Sequence, residues 1–179
     1  MNDTTQNRRI IGIDPGFRHT GWGIVEGNTR KISYIASGRF SITPESRSLK
    51  DKKELDSDSN LCAQRLAELY RSLTDIIANY SPDAVTIEKI FVNKDGVGTL
   101  KLGQARGIAL AVAGMAALPV YEYAPNTVKK SVTGYGHADK NQIAKMIEIL
   151  LPNSAVTSSD AADALAVALC HMYHVRYVP

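Results

Sequence analysis

Four acidic residues stand out by position. Asp14 closes the run Ile10-Ile11-Gly12-Ile13 and precedes the turn pair Pro15-Gly16, while Glu88 closes a second apolar run, Ala84-Val85-Thr86-Ile87. Asp160 and Asp163 lie three apart in Ser158-Ser159-Asp160-Ala161-Ala162-Asp163-Ala164. Taken singly, each has an ordinary explanation. Asp-Pro-Gly is a common turn in which the carboxylate accepts backbone hydrogen bonds. A glutamate at a strand end can face water, and an acid in the first turn of a helix gains ~0.3–1 kcal/mol from the helix dipole. Positions i and i+3 share a helix face, so capping accounts well for one of Asp160 and Asp163 and less well for both. Gathered at one place, four carboxylates repel strongly in a partly buried site. Hard divalent cations with oxygen ligands, Mg²⁺ or Mn²⁺, remove that repulsion. Two such ions about 4 Å apart stabilise the attacking and leaving oxygens of an in-line phosphoryl displacement. Together the acids predict metal-dependent phosphodiester chemistry.

The elements that must position them follow from periodicity. Arg9 to Asp14 reads as a buried strand and Thr20 to Glu26 as a second; Gly27-Asn28 predicts a tight hairpin with positive φ, and Lys31 to Phe40 returns as a third. Leu61, Arg65, Leu66, Leu69, Leu73, Ile76 and Ile77 recur at helical spacing up to Ser81-Pro82. Ala84 to Glu88 is a fourth strand, Thr99 to Ala117 a helix crowded with small residues, and Pro119 to Tyr123 a fifth strand. Short helical pieces follow from Asn126 to Val132, then a helix capped by Asp139, and a last helix from Ser158 or Ser159 to about His174. Three meandering strands followed by strand–helix alternation predict an α/β fold, a mixed five-stranded sheet flanked by helices, with the first and fourth strands parallel neighbours. Ligands of such sheets bind beyond the carboxyl ends of the strands, where Asp14 and Glu88 fall. The alanines around Asp160 and Asp163 let that helix lie close against the sheet edge.

The chain has 179 residues, 44% hydrophobic and 22% charged, which fits one soluble domain over 1–179. Cys62 and Cys170 form neither a disulfide framework nor a metal motif, and such thiols suit a reducing, cytoplasmic setting. The polar N-terminus lacks a signal-peptide core. The longest apolar stretch, Gly107 to Leu118, is well short of the ~20 residues of a membrane span. The net charge of +3 is too mild to argue for nucleic acid by itself. Pro44 to Asn60 carries four bases and five acids with almost no apolar residue, and is expected to be a mobile insertion loop directed away from any DNA. His171 and His174, with Cys170 beside them, lack the second pair that a zinc site needs. His19 and His137 are expected in loops near the acids, as candidate DNA contacts.

The motifs also carry a resemblance. Gly12-Ile13-Asp14-Pro15-Gly16 with Thr20-Gly21, Ile87-Glu88-Lys89-Ile90-Phe91, Leu100-Lys101-Leu102-Gly103-Gln104-Ala105-Arg106-Gly107 and Asp160-Ala161-Ala162-Asp163-Ala164-Leu165-Ala166 resemble the RuvC family of bacterial Holliday-junction resolvases, in order, from about Arg9 to His174. The resemblance implies a ribonuclease-H-like fold, a homodimer, and Mg²⁺-dependent paired nicking of four-way junction DNA in recombination and repair. It implies ends with 5′-phosphate and 3′-hydroxyl. It makes Asp14, Glu88, Asp160 and Asp163 the catalytic ligands of two Mg²⁺ ions, with Mn²⁺ as substitute. It makes Phe91 a residue that stacks on unpaired bases, Lys129 and Lys140 basic residues of the site, and Lys101 and Arg106 further DNA contacts. It implies a branch-migration helicase complex of the RuvA and RuvB type as partner, and a two-fold interface on the small-residue helix, whose composition taken alone favours core packing. Three rivals stand beside it. Gly12-x-Asp14-x-Gly16 also resembles the first phosphate loop of actin-like and sugar-kinase ATPases, but no second glycine-rich loop or second domain accompanies it. A non-catalytic relative binding RNA or a transcription complex, and a ribonuclease-H-type nuclease cutting RNA–DNA hybrids, share the fold.

Overall fold

The computed structural model describes residues 6–28, 30–42, 58–91, 95–154 and 156–175. The five strands are β1 (Arg8–Asp14), β2 (His19–Gly27), β3 (Ile32–Ser41), β4 (Ala84–Glu88) and β5 (Val120–Tyr123). They form one mixed sheet in the order β3-β2-β1-β4-β5, antiparallel across β3, β2 and β1 and parallel across β1, β4 and β5. The first and fourth strands are parallel neighbours, as their sequences predict. The segment 43–57 lies outside the described residues, and with it most of the expected insertion loop; positions 58–60 belong to a helix instead.

The β2–β3 turn departs from the sequence expectation. Neither Gly27 nor Asn28 takes a positive φ. Asn28 donates its backbone N–H to the Lys31 carbonyl at 2.9 Å, and its side-chain oxygen accepts from the N–H groups of Arg30 and Lys31. The asparagine side chain thus satisfies the turn's donors, and a longer turn replaces the two-residue hairpin.

One face of the sheet carries α1 (Asp58–Tyr80) and α2 (Gly96–Met115). Leu69 and Leu73 of α1 and Ala105, Ala109, Val112 and Ala113 of α2 pack on Ile11, Ile13, Trp22, Ile24, Val85 and Ile87. Asp95 caps α2 by accepting from the Gly98 N–H at 2.9 Å, so the helix starts three residues before its expected first turn. Such a cap contributes about 1 kcal/mol.

The other face is built in two layers. Helix α5 (Ser159–Val175) lies directly on β1 and β2, and α3 (Pro125–Thr133) and α4 (Lys140–Leu150) cover its far side. Residues 164–172 of α5 are buried without interruption, the pattern of a helix enclosed on all sides. Helix α4 opens with the expected cap, strengthened to a capping box: Asp139 accepts from the Gln142 N–H at 2.9 Å and the Gln142 side chain accepts from the Asp139 N–H at 2.9 Å. Among the described residues no helix is long and apolar enough to cross a membrane.

Candidate active site

The register of the sheet assembles the site. Asp14 of β1 stands opposite Gly21 of β2, and Gly21 opposite Arg39 of β3. Ile13 pairs with Ile87 one residue before the two acids, and Glu88 pairs with Tyr123 of β5. Side chains of paired residues share a face. Arg39, Gly21, Asp14, Glu88 and Tyr123 therefore form a row across the carboxyl edge of the parallel strands, on the face covered by α5. Helix α5 reaches this row because the strands beneath it carry no side chain at the crossing. A Cβ at Gly12 would lie 2.0 Å from the Ala164 carbonyl oxygen, and one at Gly21 would lie 1.9 Å from that of Asp160. Glycine below and alanine above bring the first turn of α5 down with Asp160 and Asp163 on it.

The acids feel one another. Burial, then the charges of Asp163, Glu88 and Asp160, push Asp14 up to about 7, with Lys140 pulling weakly the other way. Glu88 is raised by burial and by Asp163 against the opposing charges of Lys129 and Lys140. Asp163 is raised by burial, with Lys140 opposing. Two cations hold the pair on α5: Lys140 Nζ lies 3.3 Å from Asp163 Oδ2, and Arg39 Nη1 lies 3.7 Å from Asp160 Oδ2. Among the described residues no three acid, histidine or cysteine side chains converge into a ready-made metal cage. The donor set is nonetheless all carboxylate oxygen, the kind that hard divalent cations take. Burial and then repulsion raise Asp14, and a bound cation offsets both by favouring the ionised carboxylate. Asp14, Glu88, Asp160 and Asp163 fit a hard divalent ion.

The family pattern described as crossover junction endodeoxyribonuclease RuvC matches residues 10–171. The chain belongs to the RuvC family. It is 49% identical over 168 residues to the RuvC of Cereibacter sphaeroides, covering 94% of this chain and 91% of that one. It is 51% identical over 166 residues to the RuvC of Bartonella henselae, covering 93% and 90%. The structure of T. thermophilus RuvC in complex with a Holliday junction substrate matches with a TM-score of 0.78 at 30% identity, over 94% of this chain and 95% of that one. Membership in the RuvC family makes the chain a metal-dependent nuclease of ribonuclease-H-like fold.

The remaining predicted residues of this RuvC-family chain divide. Phe91, just past Glu88, is 64% exposed, which removes core packing as its role. Lys129 on α3 and Lys140 at the start of α4 flank the acids, as their charge effects on Glu88 show. Lys101 Nζ lies 5.6 Å from the centre of the Phe17 ring, which also carries the Arg65 guanidinium at 5.5 Å. Arg106 is paired instead with Glu122, its Nε donating at 2.9 Å. That contact ties α2 to β5 and commits the guanidinium within the fold. His19 is the first residue of β2 rather than a loop residue, and His137 meets Tyr135 edge-on at 5.6 Å. His171 is buried, with Nδ1 2.7 Å from the Tyr123 hydroxyl; burial, then Arg8 and His174, lower it to about 4. Arg39 is the site residue that the sequence did not reveal, because only strand register brings it beside Asp160.

Proposed function

We propose that the protein resolves Holliday junctions by paired symmetric nicks, hydrolysing phosphodiester bonds with two Mg²⁺ ions to leave 5′-phosphate and 3′-hydroxyl ends. The observation that carries this reading is that acids from β1, β4 and α5 lie at one sheet edge within electrostatic reach of Asp14, which burial and their charges raise to about 7. Asp14, Glu88, Asp160 and Asp163 would hold the ions, and Mn²⁺ would substitute. Bound there, divalent ions supply Lewis-acid stabilisation of the charge that develops at the phosphorus. Lys140 and Lys129 keep the carboxylates of Glu88 and Asp163 more readily ionised, and so ready to bind a cation. Phe91 presents an exposed ring for stacking on unpaired bases, worth about 1–3 kcal/mol per base. Lys101 contributes positive charge toward the DNA backbone.

A homodimer suits a pseudo-two-fold substrate, and α2 offers a face for it. Val97, Leu100 and Met115 are exposed there, and a Cβ at Gly103, Gly107 or Gly114 would meet nothing within 4 Å. A branch-migration helicase complex of the RuvA and RuvB type is the proposed partner, and the cytoplasm the proposed location, where Cys62 and Cys170 stay free thiols.

The test incubates the protein with a labelled four-way junction, a linear duplex and an RNA–DNA hybrid, each with and without Mg²⁺. Symmetric, religatable nicks in the junction alone, and only with metal, are expected. Cutting of the hybrid instead would replace the function and leave the fold standing.

A further inference from the structure

Among the described residues four arginines face carboxylates; Arg71 pairs with Glu68 within one helix, and the three that pair between elements do so differently. Arg9 grips Glu26 through Nε at 2.8 Å and Nη2 at 2.6 Å and also donates to the Tyr80 carbonyl. Arg106 grips Glu122 through Nε and Nη2. Both are two-pronged contacts of hydrogen-bond length, with side chains about one-third exposed, the geometry of a structural clamp. Arg39 is unlike them. Its closest approach to Asp160 is 3.7 Å, its side chain is 42% exposed, and its guanidinium makes no side-chain hydrogen bond among the described residues. A guanidinium carries five donors in a rigid fork. At 3.7 Å the contact is a charge pairing and not a hydrogen bond, so the donors of Arg39 remain open at the mouth of the site.

Its placement follows from the sheet. Arg39 stands opposite Gly21, and Gly21 opposite Asp14, so the arginine lies two strands away from the central acid in the same row. Glycine between them leaves the row open, and the start of α5 fills that gap with Asp160. Lys129 and Lys140 approach the acids from α3 and α4. Arg39 approaches from β3, the opposite side. A phosphate seated over the four acids would thus have cations on both flanks.

We propose that Arg39 is a positioning residue for the DNA backbone: Asp160 aims the guanidinium, and its free donors take a phosphate oxygen of the strand lying across the β3 side of the site. This rests on the junction-nuclease reading. It adds the flank from which the strand is held, and a residue of this chain that holds it. Arginine suits the task because its fork matches the oxygens of a phosphate.

The test compares wild type, Arg39→Ala and Arg39→Lys for binding to a fluorescent four-way junction and to a linear duplex of the same arms. Binding is measured in Ca²⁺ across a salt series, and the DNA is checked for integrity on a denaturing gel. Melting temperatures are measured alongside without divalent ions. A phosphate contact lowers the slope of log K against log salt by about 0.9 when removed. Arg39→Ala is therefore expected to lose about that much slope per bound chain and to bind several-fold more weakly at low salt. Arg39→Lys keeps most of the slope. An Arg39→Ala variant that melts lower but retains the wild-type slope would overturn the proposal and leave Arg39 a mere counter-ion of Asp160. Wild type that fails to prefer the junction over the duplex would defeat the junction reading instead, whatever Arg39 does.

Discussion

Replacing Asp14 by asparagine separates what the carboxylate does for catalysis from what it costs the fold. Asp14 sits near 7 in the folded protein against 3.8 as a free side chain. Below about pH 4 it is protonated in both states and contributes nothing to the pH dependence. Between about pH 4 and 7 the unfolded chain has lost this proton and the folded protein keeps it, so metal-free stability falls as pH rises and levels off above 7. A tenfold change in proton affinity corresponds to about 1.4 kcal/mol, so the span from 3.8 to about 7 sets a ceiling of about 4 kcal/mol at pH 8. Mutual relaxation of the other acids brings the expected gain of Asp14→Asn nearer 2–3 kcal/mol, or about 5–10 °C in Tm for a chain of this size. The assay is thermal or urea unfolding of both proteins in chelator from pH 4 to 9, repeated with Mg²⁺. His171, lowered to about 4, makes the opposite contribution to both proteins over much of this range, so the comparison is with the variant. Relative to it, wild type should lose stability across the window and regain it with metal, since an ion that binds only the folded state stabilises it. The variant should lack the Asp14-dependent fall and show little response to Mg²⁺, no cleavage and intact junction binding. A stability difference between wild type and variant that stays constant from pH 4 to 7, or a variant less stable than wild type at pH 8, would show Asp14 to be an ordinary solvated acid and would refute the reasoning.

Other substitutions probe the same arrangement from different sides. Phe91→Ala should slow junction cleavage roughly 5- to 150-fold, the equivalent of about 1–3 kcal/mol of lost stacking, while Tm moves by less than about 2 °C; a large fall in Tm would return the ring to the core. Lys140→Gln removes a charge that lowers Asp14, Glu88 and Asp163, so the acid limb of the pH–rate profile should move to higher pH, and an unmoved limb would deny the coupling. Gly12→Ala inserts a methyl where the Ala164 carbonyl oxygen stands 2.0 Å away. Such overpacking costs roughly 1–3 kcal/mol, and displacement of α5 should also depress cleavage beyond what the lower stability explains.

The acids were legible because each carries a local signal. Asp14 and Glu88 end apolar runs, and Asp160 and Asp163 share one helix face. Alanines flanking the latter pair foretold close packing, and the glycines of β1 and β2 complete it. Arg39 carries no such mark. Its neighbour Gly38 lies against Trp22 on the opposite face, and a register irregularity between Ile24 and Val25 decides which β3 residue meets Gly21. Alternation along β3 alone could not supply that. The Arg106–Glu122 contact was hidden for the complementary reason: Glu122 lies on β5, and nothing in the Lys-Leu-Gly-Gln-Ala-Arg-Gly run announces it. The Gly27-Asn28 pair suggested positive φ, yet the side chain of Asn28 satisfied the turn first.

The order in which the acids occur along the chain has a consequence for synthesis. Asp14 and Glu88 lie on strands made early, whereas Asp160 and Asp163 belong to the last helix, which also fills the space between the sheet and α3 and α4. A nascent chain still lacking α5 has only two of the four clustered acids and an uncovered apolar sheet face. It cannot assemble the site, and contacts between β1 and α5 form only after most of the polypeptide has left the ribosome. Such distant pairings fold slowly. Under the proposed function, the late step that completes the core also completes the acid cluster, so chains truncated before α5 are expected to lack nuclease activity and to be open to proteolysis.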